Sequence, residues 1–237
     1  MARLVFDIET VGEDWKGLDE TTQEVLTKWI KKDPGEDSED YQTAFANVKN
    51  ELGLSPLTGQ IVAIGILDQD RNEGAVYYQA PGHLATETVE NGITFRAMSE
   101  AEMLKAFWKT AANYDEFISY NGRAFDAPFL AIRSAIHKIR PTRDLLEGRY
   151  LYQQRSARHV DLQDQMTFYG AMQKKGGLHL YARAFGIESP KVGGVSGGDV
   201  GEMFKKKKYL DIAKYNVGDL RATRELYEYW DNYLRGS

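Results

Sequence analysis

Short apolar segments rich in branched and aromatic residues predict five β-strands along the chain. The first covers residues 3–9 and ends in two acidic residues, Asp7 and Glu9. The second, QIVAIGIL over residues 60–67, is a nearly continuous apolar run of the kind found in a central, fully buried strand. The remaining predicted strands cover residues 75–79, 116–120 and 159–162.

Apolar residues that recur every three to four positions predict helices between and after these strands. Two of them, over residues 19–32 and 41–52, are separated by a charged, turn-rich stretch at 31–37. We interpret residues 12–58 as a two-helix insertion after the first strand, because they contain too few apolar residues to form a core of their own. Further helices are predicted over residues 99–112, 127–137, 162–170, 177–185, 199–205 and 208–234.

The order of these elements predicts an α/β fold. A hairpin turn at 68–74 joins two strands, and strands then alternate with helices. We therefore expect a mixed five-stranded sheet flanked by helices, with the two-helix insertion after the first strand. A chain of 237 residues fits one domain, so we expect residues 1–237 to form a single domain that contains the insertion 12–58.

Composition narrows the class of protein. The chain has no cysteine, which excludes a disulfide framework and a thiolate zinc site. No apolar run approaches the roughly 20 residues that cross a bilayer, and no signal-peptide pattern follows Met1, so we expect a cytoplasmic protein without membrane association. The net charge of −5 is uneven: residues 12–58 carry eleven acidic and five basic side chains, and residues 131–158 carry seven basic and two acidic ones. The basic segment is either a polyanion-binding surface or a solvated face.

The first candidate motif is Asp7-Ile8-Glu9. Side chains alternate across a strand, so Asp7 and Glu9 project from the same face. Two crowded carboxylates repel each other and lose hydration, which costs roughly several kcal/mol unless a cation compensates. Mg²⁺ and Mn²⁺ prefer such oxygen ligands. Taken alone, the pattern also fits two carboxylates at a solvated strand end.

The second motif runs from Asn121 to Pro128 and contains Phe125 and Asp126. Asp126 lies where a predicted strand passes through a loop into a helix, a place where active-site groups of α/β sheets gather. An aspartate before Ala-Pro is also a favourable helix N-cap, and Phe125 is equally well interpreted as a core residue.

The third motif, Tyr215-Asn216-Val217-Gly218-Asp219, lies within the last predicted helix. Tyr215 and Asp219 are four residues apart and therefore share one helical face. Alone, this spacing is also typical of an interface tyrosine and an exposed aspartate.

Together and in this order, the three motifs resemble the DEDD (DnaQ-like) superfamily of 3′–5′ exonucleases, which share a ribonuclease H-like fold. The tyrosine four residues before Asp219 resembles the DEDDy subclass, since Lys214 occupies the position of the histidine in the other subclass. The Asn121–Pro128 motif and the segment at 191–194 are most similar to stand-alone bacterial exonucleases akin to the proofreading domain of family-B DNA polymerases.

The resemblance implies a catalytic set and its cofactors. Asp7, Glu9, Asp126 and Asp219 are expected to hold two Mg²⁺ or Mn²⁺ ions, with Asp7 bridging both. Glu9 and Asp219 complete the site on the side of the attacking water, and Asp126 acts on the other ion. Tyr215 is expected to orient the water rather than to act as a strong base, because an unperturbed tyrosine has a pKa near ~10.

The resemblance also implies a substrate, the 3′ end of DNA, with single strands preferred. The backbone near Thr10 is expected to meet the terminal 3′-OH, unless Thr10 simply ends the strand. Asn121 and Phe125 are expected to contact and stack the terminal nucleotides. Two alternatives stay open: an exoribonuclease that acts on RNA, and a catalytically silent module that binds nucleic acid. The sequence gives no indication of protein partners.

Overall fold

The computed structural model describes residues 1–30, 38–83, 87–189 and 197–236. The turn-rich stretch at 31–37 and the segment at 191–194 lie outside the described residues. No helix in the described ranges has the length and apolar character that a membrane span requires.

The described strands form one mixed sheet that contains all five predicted strands. Its strands are β1 (Arg3–Gly12), β2 (Gly59–Asp68), β3 (Gly74–Tyr78), β4 (Glu87–Glu90), β5 (Ile93–Ala97), β6 (Glu116–Ser119) and β7 (Arg158–Asp161). Their order in the sheet is β4-β5-β3-β2-β1-β6-β7. β1, β6 and β7 are mutually parallel, whereas β2 is antiparallel to both β1 and β3. The predicted α/β class and mixed sheet are confirmed. β4 and β5 add a hairpin, which makes seven strands instead of five.

The helices lie close to their predicted positions, except that the first ends at Thr27 although it was predicted to reach residue 32. They are α1 (Glu20–Thr27), α2 (Glu39–Glu51), α3 (Glu100–Ala111), α4 (Asp126–Ile136), α5 (Leu162–Met166), α6 (Leu178–Phe185), α7 (Val200–Lys205) and α8 (Tyr209–Tyr233). The helix predicted over 162–170 is shorter than expected, because Phe168 and Tyr169 adopt left-handed backbone conformations with φ of 51° and 55°. Residues other than glycine adopt this conformation rarely, and it cannot continue an α-helix.

Strict alternation in β1 gives the sheet two buried faces. Val5 and Val11 join the core cluster beneath α8, whereas Phe6 and Ile8 join the cluster beneath α3 and α4. Asp7 occupies a position between Val5 and Val11 on the α8 face. The two acidic residues of β1 are therefore directed towards α8 by the same periodicity that builds the core.

A β-bulge interrupts the pairing of β1 with β2. Glu9 pairs with Ala63 and Thr10 pairs with Ile61, so Val62 is an extra residue on β2. Val62 and Ala63 both join the cluster beneath α8, although consecutive residues of a regular strand face opposite sides. Beyond the bulge the pairing is regular, and Asp7 lies opposite Gly65.

The insertion between β1 and β2 is helical, as the sequence predicts. α1 buries no side chain and α2 buries only Val48, so these helices contribute little to the core. They contact each other, and α2 also contacts β1. An edge-to-face contact between Trp15 and Phe45, with ring centroids 5.1 Å apart, packs the start of the insertion against α2.

Candidate active site

The acidic residues of the three motifs meet at one end of the sheet. Because β1, β6 and β7 are parallel, their carboxyl ends lie at the same end of the sheet. β1 places Asp7 and Glu9 there, and the loop after β6 leads into Asp126 at the start of α4. α8 packs across β1 and β2 and brings Tyr215 and Asp219 to the same place.

Three carboxylates form a compact group. Asp7, Glu9 and Asp219 each offer an oxygen, and these oxygens all lie within 4.8 Å of one another. Glu9 is only 7% exposed, whereas Asp7 and Asp219 are partly exposed. An all-oxygen group of this size and charge fits a hard divalent cation.

Burial and mutual repulsion raise the pKa of the two carboxyls on β1. The pKa of Asp7 lies well above its ordinary value because the surrounding protein removes most of the water from its carboxyl, and because Asp126, Asp219 and Glu9 add negative charge. The pKa of Glu9 is raised well above its ordinary value by burial and then by Asp219, with a smaller contribution from Asp126. The charged neighbours that change these two pKa values are all carboxylates, and a bound cation would stabilise the ionised forms of both groups.

Asp126 is held beside this group by the backbone of β1. Its Oδ1 accepts a hydrogen bond of 2.9 Å from the Ile8 amide, and the residue is 4% exposed. Burial raises its pKa to about 7; the amide hydrogen bond opposes this shift, while Asp161 and Asp219 add to it. Phe125, and not Asp126, is the residue before the helix, so the interpretation of Asp126 as an N-cap is wrong. Asp126 lies outside the group of three, but its charge acts on that group.

Tyr215 is directed into the carboxylate cluster. Its pKa is raised by burial, by the charges of Asp219, Glu9 and Asp7, and by a hydrogen bond with Asp219. The phenol therefore stays protonated at neutral pH. It can donate or accept a hydrogen bond but cannot act as a base.

Asn216 is a functional candidate that the sequence analysis missed. The residue is fully buried, and its Nδ2 donates to Asp7 Oδ2 over 2.7 Å. A hydrogen bond from the same side chain lowers the pKa of Glu9. Asn216 is the one polar member of a helical row with Ile212 and Leu220, which are buried against the sheet. A polar residue in such a row is the signal that identifies it.

Gly65 allows α8 to come close enough for this contact. A Cβ at Gly65 would lie 1.8 Å from Asn216 Oδ1 and 2.7 Å from Leu220 Cδ1. Any side chain here would therefore displace the helix from the sheet. In the sequence, the signal is a glycine that interrupts the apolar run of the second strand.

The predicted substrate-binding residues lie near the carboxylates and contact other residues of the chain. The Thr10 hydroxyl donates to the Gly53 carbonyl over 2.6 Å, and β1 continues past Thr10 to Gly12, so Thr10 does not end the strand. Asn121 has a φ of 62° and begins the turn that leads to Asp126. Phe125 is partly buried, with its ring 5.4 Å from that of Phe129.

Asp161, a second residue missed from the sequence, holds the loop that carries Asn121. Its carboxylate accepts hydrogen bonds of 2.9 Å from the Asn121 and Arg123 amides. It also caps the start of α5 through the Gln163 amide. Its position at the end of the β7 strand is the only sequence signal, because its partners are backbone groups of a distant loop.

Comparison with known proteins agrees with the resemblance noted in the sequence. Residues 60–233 match the model of a family described as a predicted 3′–5′ exonuclease related to the exonuclease domain of PolB. The match includes Asp126, Tyr215 and Asp219 but begins after Asp7 and Glu9. No curated protein is detectably similar in sequence.

A solved structure with a similar fold is that of the family B DNA polymerase from the hyperthermophilic archaeon Pyrobaculum calidifontis. The TM-score is 0.58 at 17% sequence identity, and the alignment covers 97% of this chain and 24% of the polymerase chain. At this identity the likeness shows the fold alone, and this chain spans only a quarter of the polymerase.

Proposed function

The chain belongs to the family of predicted 3′–5′ exonucleases related to the exonuclease domain of PolB, and we propose that it removes nucleotides from the 3′ end of DNA, with single strands preferred. The observation that supports this most directly is the group formed by Asp7, Glu9 and Asp219, whose oxygens lie within 4.8 Å of one another. In the absence of a cation, the repulsion within such a group lowers the stability of the folded protein. The proposed function explains why this energetic cost is tolerated.

The residues present fit divalent cations. The ligand atoms are all carboxylate oxygens, and burial beside other carboxylates raises the pKa of Asp7 and Glu9, so a bound divalent cation would stabilise their ionised forms. We propose that Asp7, Glu9 and Asp219 hold one Mg²⁺ or Mn²⁺, and that Asp7 and Asp126 serve a second. When bound, such ions lower the pKa of coordinated water and neutralise charge on the scissile phosphate.

The side chains around these carboxylates position the reacting groups. Asn216 fixes one oxygen of Asp7, and the Ile8 amide fixes one oxygen of Asp126, so both carboxylates have set orientations. The protonated Tyr215 hydroxyl orients the attacking water through a hydrogen bond. Preorganised groups of this kind reduce the reorganisation that the reaction requires.

The test is a cleavage assay with matched single-stranded DNA and RNA oligonucleotides labelled at the 5′ end. The purified protein is incubated with Mg²⁺, Mn²⁺ or EDTA. We expect a metal-dependent ladder that shortens from the 3′ end, with DNA as the faster substrate. Asp7→Ala should lower the rate by roughly 10³-fold, since it removes a group that stabilises the transition state.

The matched control is Glu24→Ala, which removes an exposed carboxylate on α1 far from the sheet end. Its rate should equal that of the wild type. Faster cleavage of RNA would assign the protein as an exoribonuclease. Binding of both oligonucleotides without cleavage under any metal would contradict the exonuclease proposal and favour a silent binding module.

A further inference from the structure

A group of aromatic side chains beside the candidate active site takes no part in the chemistry proposed above. It consists of Tyr150, of Tyr152 and Tyr169, whose rings pack on that of Tyr150, and of Phe168, which precedes Tyr169 in the chain; we call these four residues the aromatic platform. Tyr152 is 82% exposed and Phe168 is 58% exposed, although large aromatic side chains are usually covered in a folded protein. Exposed aromatic surface of this kind indicates a binding site, because these rings contribute little to the buried core.

The platform has the geometry of a stacking surface. The rings of Tyr150 and Tyr152 are stacked with an interplanar angle of 10° and centroids 5.7 Å apart. The ring of Tyr169 packs against Tyr150 at 4.7 Å, and Gln165 donates to its hydroxyl over 2.6 Å. The outer ring, that of Tyr152, is thus supported from behind and open to solvent. A nucleobase can stack on such a ring.

The backbone that presents two of these rings is in an unusual conformation. Phe168 and Tyr169 are consecutive residues with φ of 51° and 55°, a region that bulky side chains rarely adopt. Strained conformations of this kind persist where the surroundings fix them, and they cluster at binding sites.

Hydrogen bonds connect the platform to the candidate active site. Asp161 accepts from the Asn121 amide in the loop that leads to Asp126, and it also caps α5. Asp164 of α5 accepts from Arg149 over 3.0 Å, and Arg149 immediately precedes Tyr150 in the chain. The platform is therefore linked, through Asp161 and α5, to the loop whose Asn121 and Phe125 are expected to contact the terminal nucleotides.

The charge around the platform identifies its occupant. Arg149 and Arg155 are exposed, and each lies three residues from Tyr152 in the chain. The exposed Lys174 and Lys175 follow Tyr169 by five and six residues. Aromatic rings interspersed with cations suit a polyanion whose bases present π-faces. A nonpolar peptide would gain nothing from these charges.

We infer that the aromatic platform stacks bases of a single-stranded nucleic acid at positions upstream of its 3′ end, while the neighbouring basic side chains contact phosphates. The inference rests on the proposed function for the direction of the strand. Stacking is tolerant of base and sugar, so the same surface serves DNA and RNA.

Binding is measured first, by fluorescence anisotropy with labelled 15-nucleotide DNA and RNA strands in EDTA, where no cleavage occurs. Tyr152→Ala should weaken binding about tenfold, the loss typical of one base–aromatic stack. Tyr152→Trp should restore it, because indole also stacks. The matched control is Tyr233→Ala, which removes a 77% exposed tyrosine from the end of α8 and should leave binding unchanged. Unchanged binding by Tyr152→Ala, or an equal loss in Tyr233→Ala, would overturn the inference.

Cleavage then separates this inference from the proposed function. Tyr152→Ala should raise KM about tenfold for the 15-nucleotide strand with kcat unchanged, and should not affect a trinucleotide too short to reach the platform. If the wild type cleaves nothing but Tyr152→Ala still weakens binding, the exonuclease proposal fails and the platform stands. If the wild type cleaves and Tyr152→Ala matches it at every length, the platform fails and the exonuclease stands.

Discussion

Two buried carboxylates in this protein have nearly the same exposed fraction, but their pKa values are shifted in opposite directions. Glu9 is 7% exposed and Glu100, at the start of α3, is 6% exposed. Burial alone would raise the pKa of both. Glu100 nevertheless has a pKa below its ordinary value, because hydrogen bonds from Arg133, the Ile61 amide and His137 outweigh burial. The Arg133 contacts are two bonds of 2.8 and 2.7 Å, the geometry of a bidentate ion pair.

The difference between the two sites is the source of the compensating charge. At Glu100 the protein supplies its own cation, and the result is a structural link between α3, α4 and β2. At Glu9 the charged groups that shift the pKa are further carboxylates, and the proposed function assigns the compensating charge to a bound cation. Burial of an acidic residue is therefore not evidence of function; burial among other acidic residues is.

The largest effect is expected when the structural carboxylate is neutralised. Glu100→Gln leaves the Arg133 guanidinium half-compensated in a buried site, so the free energy of unfolding should fall by about 3 kcal/mol. Urea unfolding in EDTA measures this change. A loss below about 0.5 kcal/mol, the level of an ordinary surface substitution, would show that the ion pair is not structural.

The second largest effect is expected when a side chain is added at Gly65, where α8 lies close to the sheet. Gly65→Ala places a Cβ against Asn216 and Leu220, so the helix must move, at a cost of about 2 kcal/mol for overpacking. Because Asn216 orients Asp7, the affinity for Mn²⁺ should fall as well. Gly17→Ala is the matched control, since nothing lies within 4 Å of its added Cβ. Equal stability of the two variants would contradict the packing.

A smaller effect is the pH dependence of metal binding. The raised pKa values of Asp7, Glu9 and Asp126 mean that protons and cations compete for the site. Below pH 7, the affinity for Mn²⁺ should rise about tenfold per pH unit for each proton displaced, or about 1.4 kcal/mol. Calorimetric titration between pH 5.5 and 6.5 measures the slope, and Asp126→Asn should reduce it. A flat profile would show that these carboxyls are already ionised.

The same three shifts also contribute to how the stability of the metal-free protein depends on pH. A carboxyl with a raised pKa in the folded state holds a proton that the unfolded chain has released, so folding loses stability as pH rises. For Asp126 the window runs from its ordinary value of 3.8 to about 7. Between pH 5 and pH 7, urea unfolding in EDTA should show this loss in the wild type relative to Asp126→Asn, in the direction opposite to that of an ordinary salt-bridged aspartate. The comparison with Asp126→Asn cancels the opposing contribution of His159, whose pKa burial lowers to about 3.

The smallest effect is expected for Glu9→Gln, which should raise the free energy of unfolding, whereas Glu100→Gln should lower it. Glu9→Gln should stabilise the metal-free protein by about 1 kcal/mol at pH 8, within the range of ordinary stabilising substitutions. The native site penalises Glu9 whether it ionises among carboxylates or keeps its proton, and glutamine removes that penalty. Urea unfolding in EDTA, alongside Glu100→Gln, makes the comparison direct. Destabilisation by both substitutions would show that the two carboxylates are equivalent.

The sequence predicts most elements of this fold because local patterns determine them. Capping is one example: the Ser99 hydroxyl and the Glu102 carboxylate form a reciprocal capping box at the start of α3, as their spacing predicts. The β4–β5 hairpin was missed because every residue of β4 is exposed, so no alternation marks it. Its turn, Asn91-Gly92, has positive φ at both residues and is the local signal that was available.

The candidate site was predictable only where its residues form motifs. Asp7, Asp126 and Asp219 lie in segments whose order carries information, and the structure brings these segments to one end of the sheet. Asn216 and Gly65 are different, because a polar residue in an apolar helical row and a glycine in an apolar strand do not reveal which residues they contact. Their contact depends on how closely α8 lies on β2, a distance set by the whole core. Tertiary packing, and not sequence spacing, reveals such residues.

The β-bulge at Val62 bears on how this chain evolves. Residues 63–68 pair with β1 in a regular register in which Asp7 lies opposite Gly65. The bulge separates these residues from residues 59–61, which lead out of the insertion. Lineages can therefore lengthen, shorten or exchange the insertion without moving the carboxylates. Loss of the single Val62 codon would close the bulge without changing these faces, because Ile61 already lies opposite Thr10 and faces the other side from Ala63; the sheet would lose only its local bend.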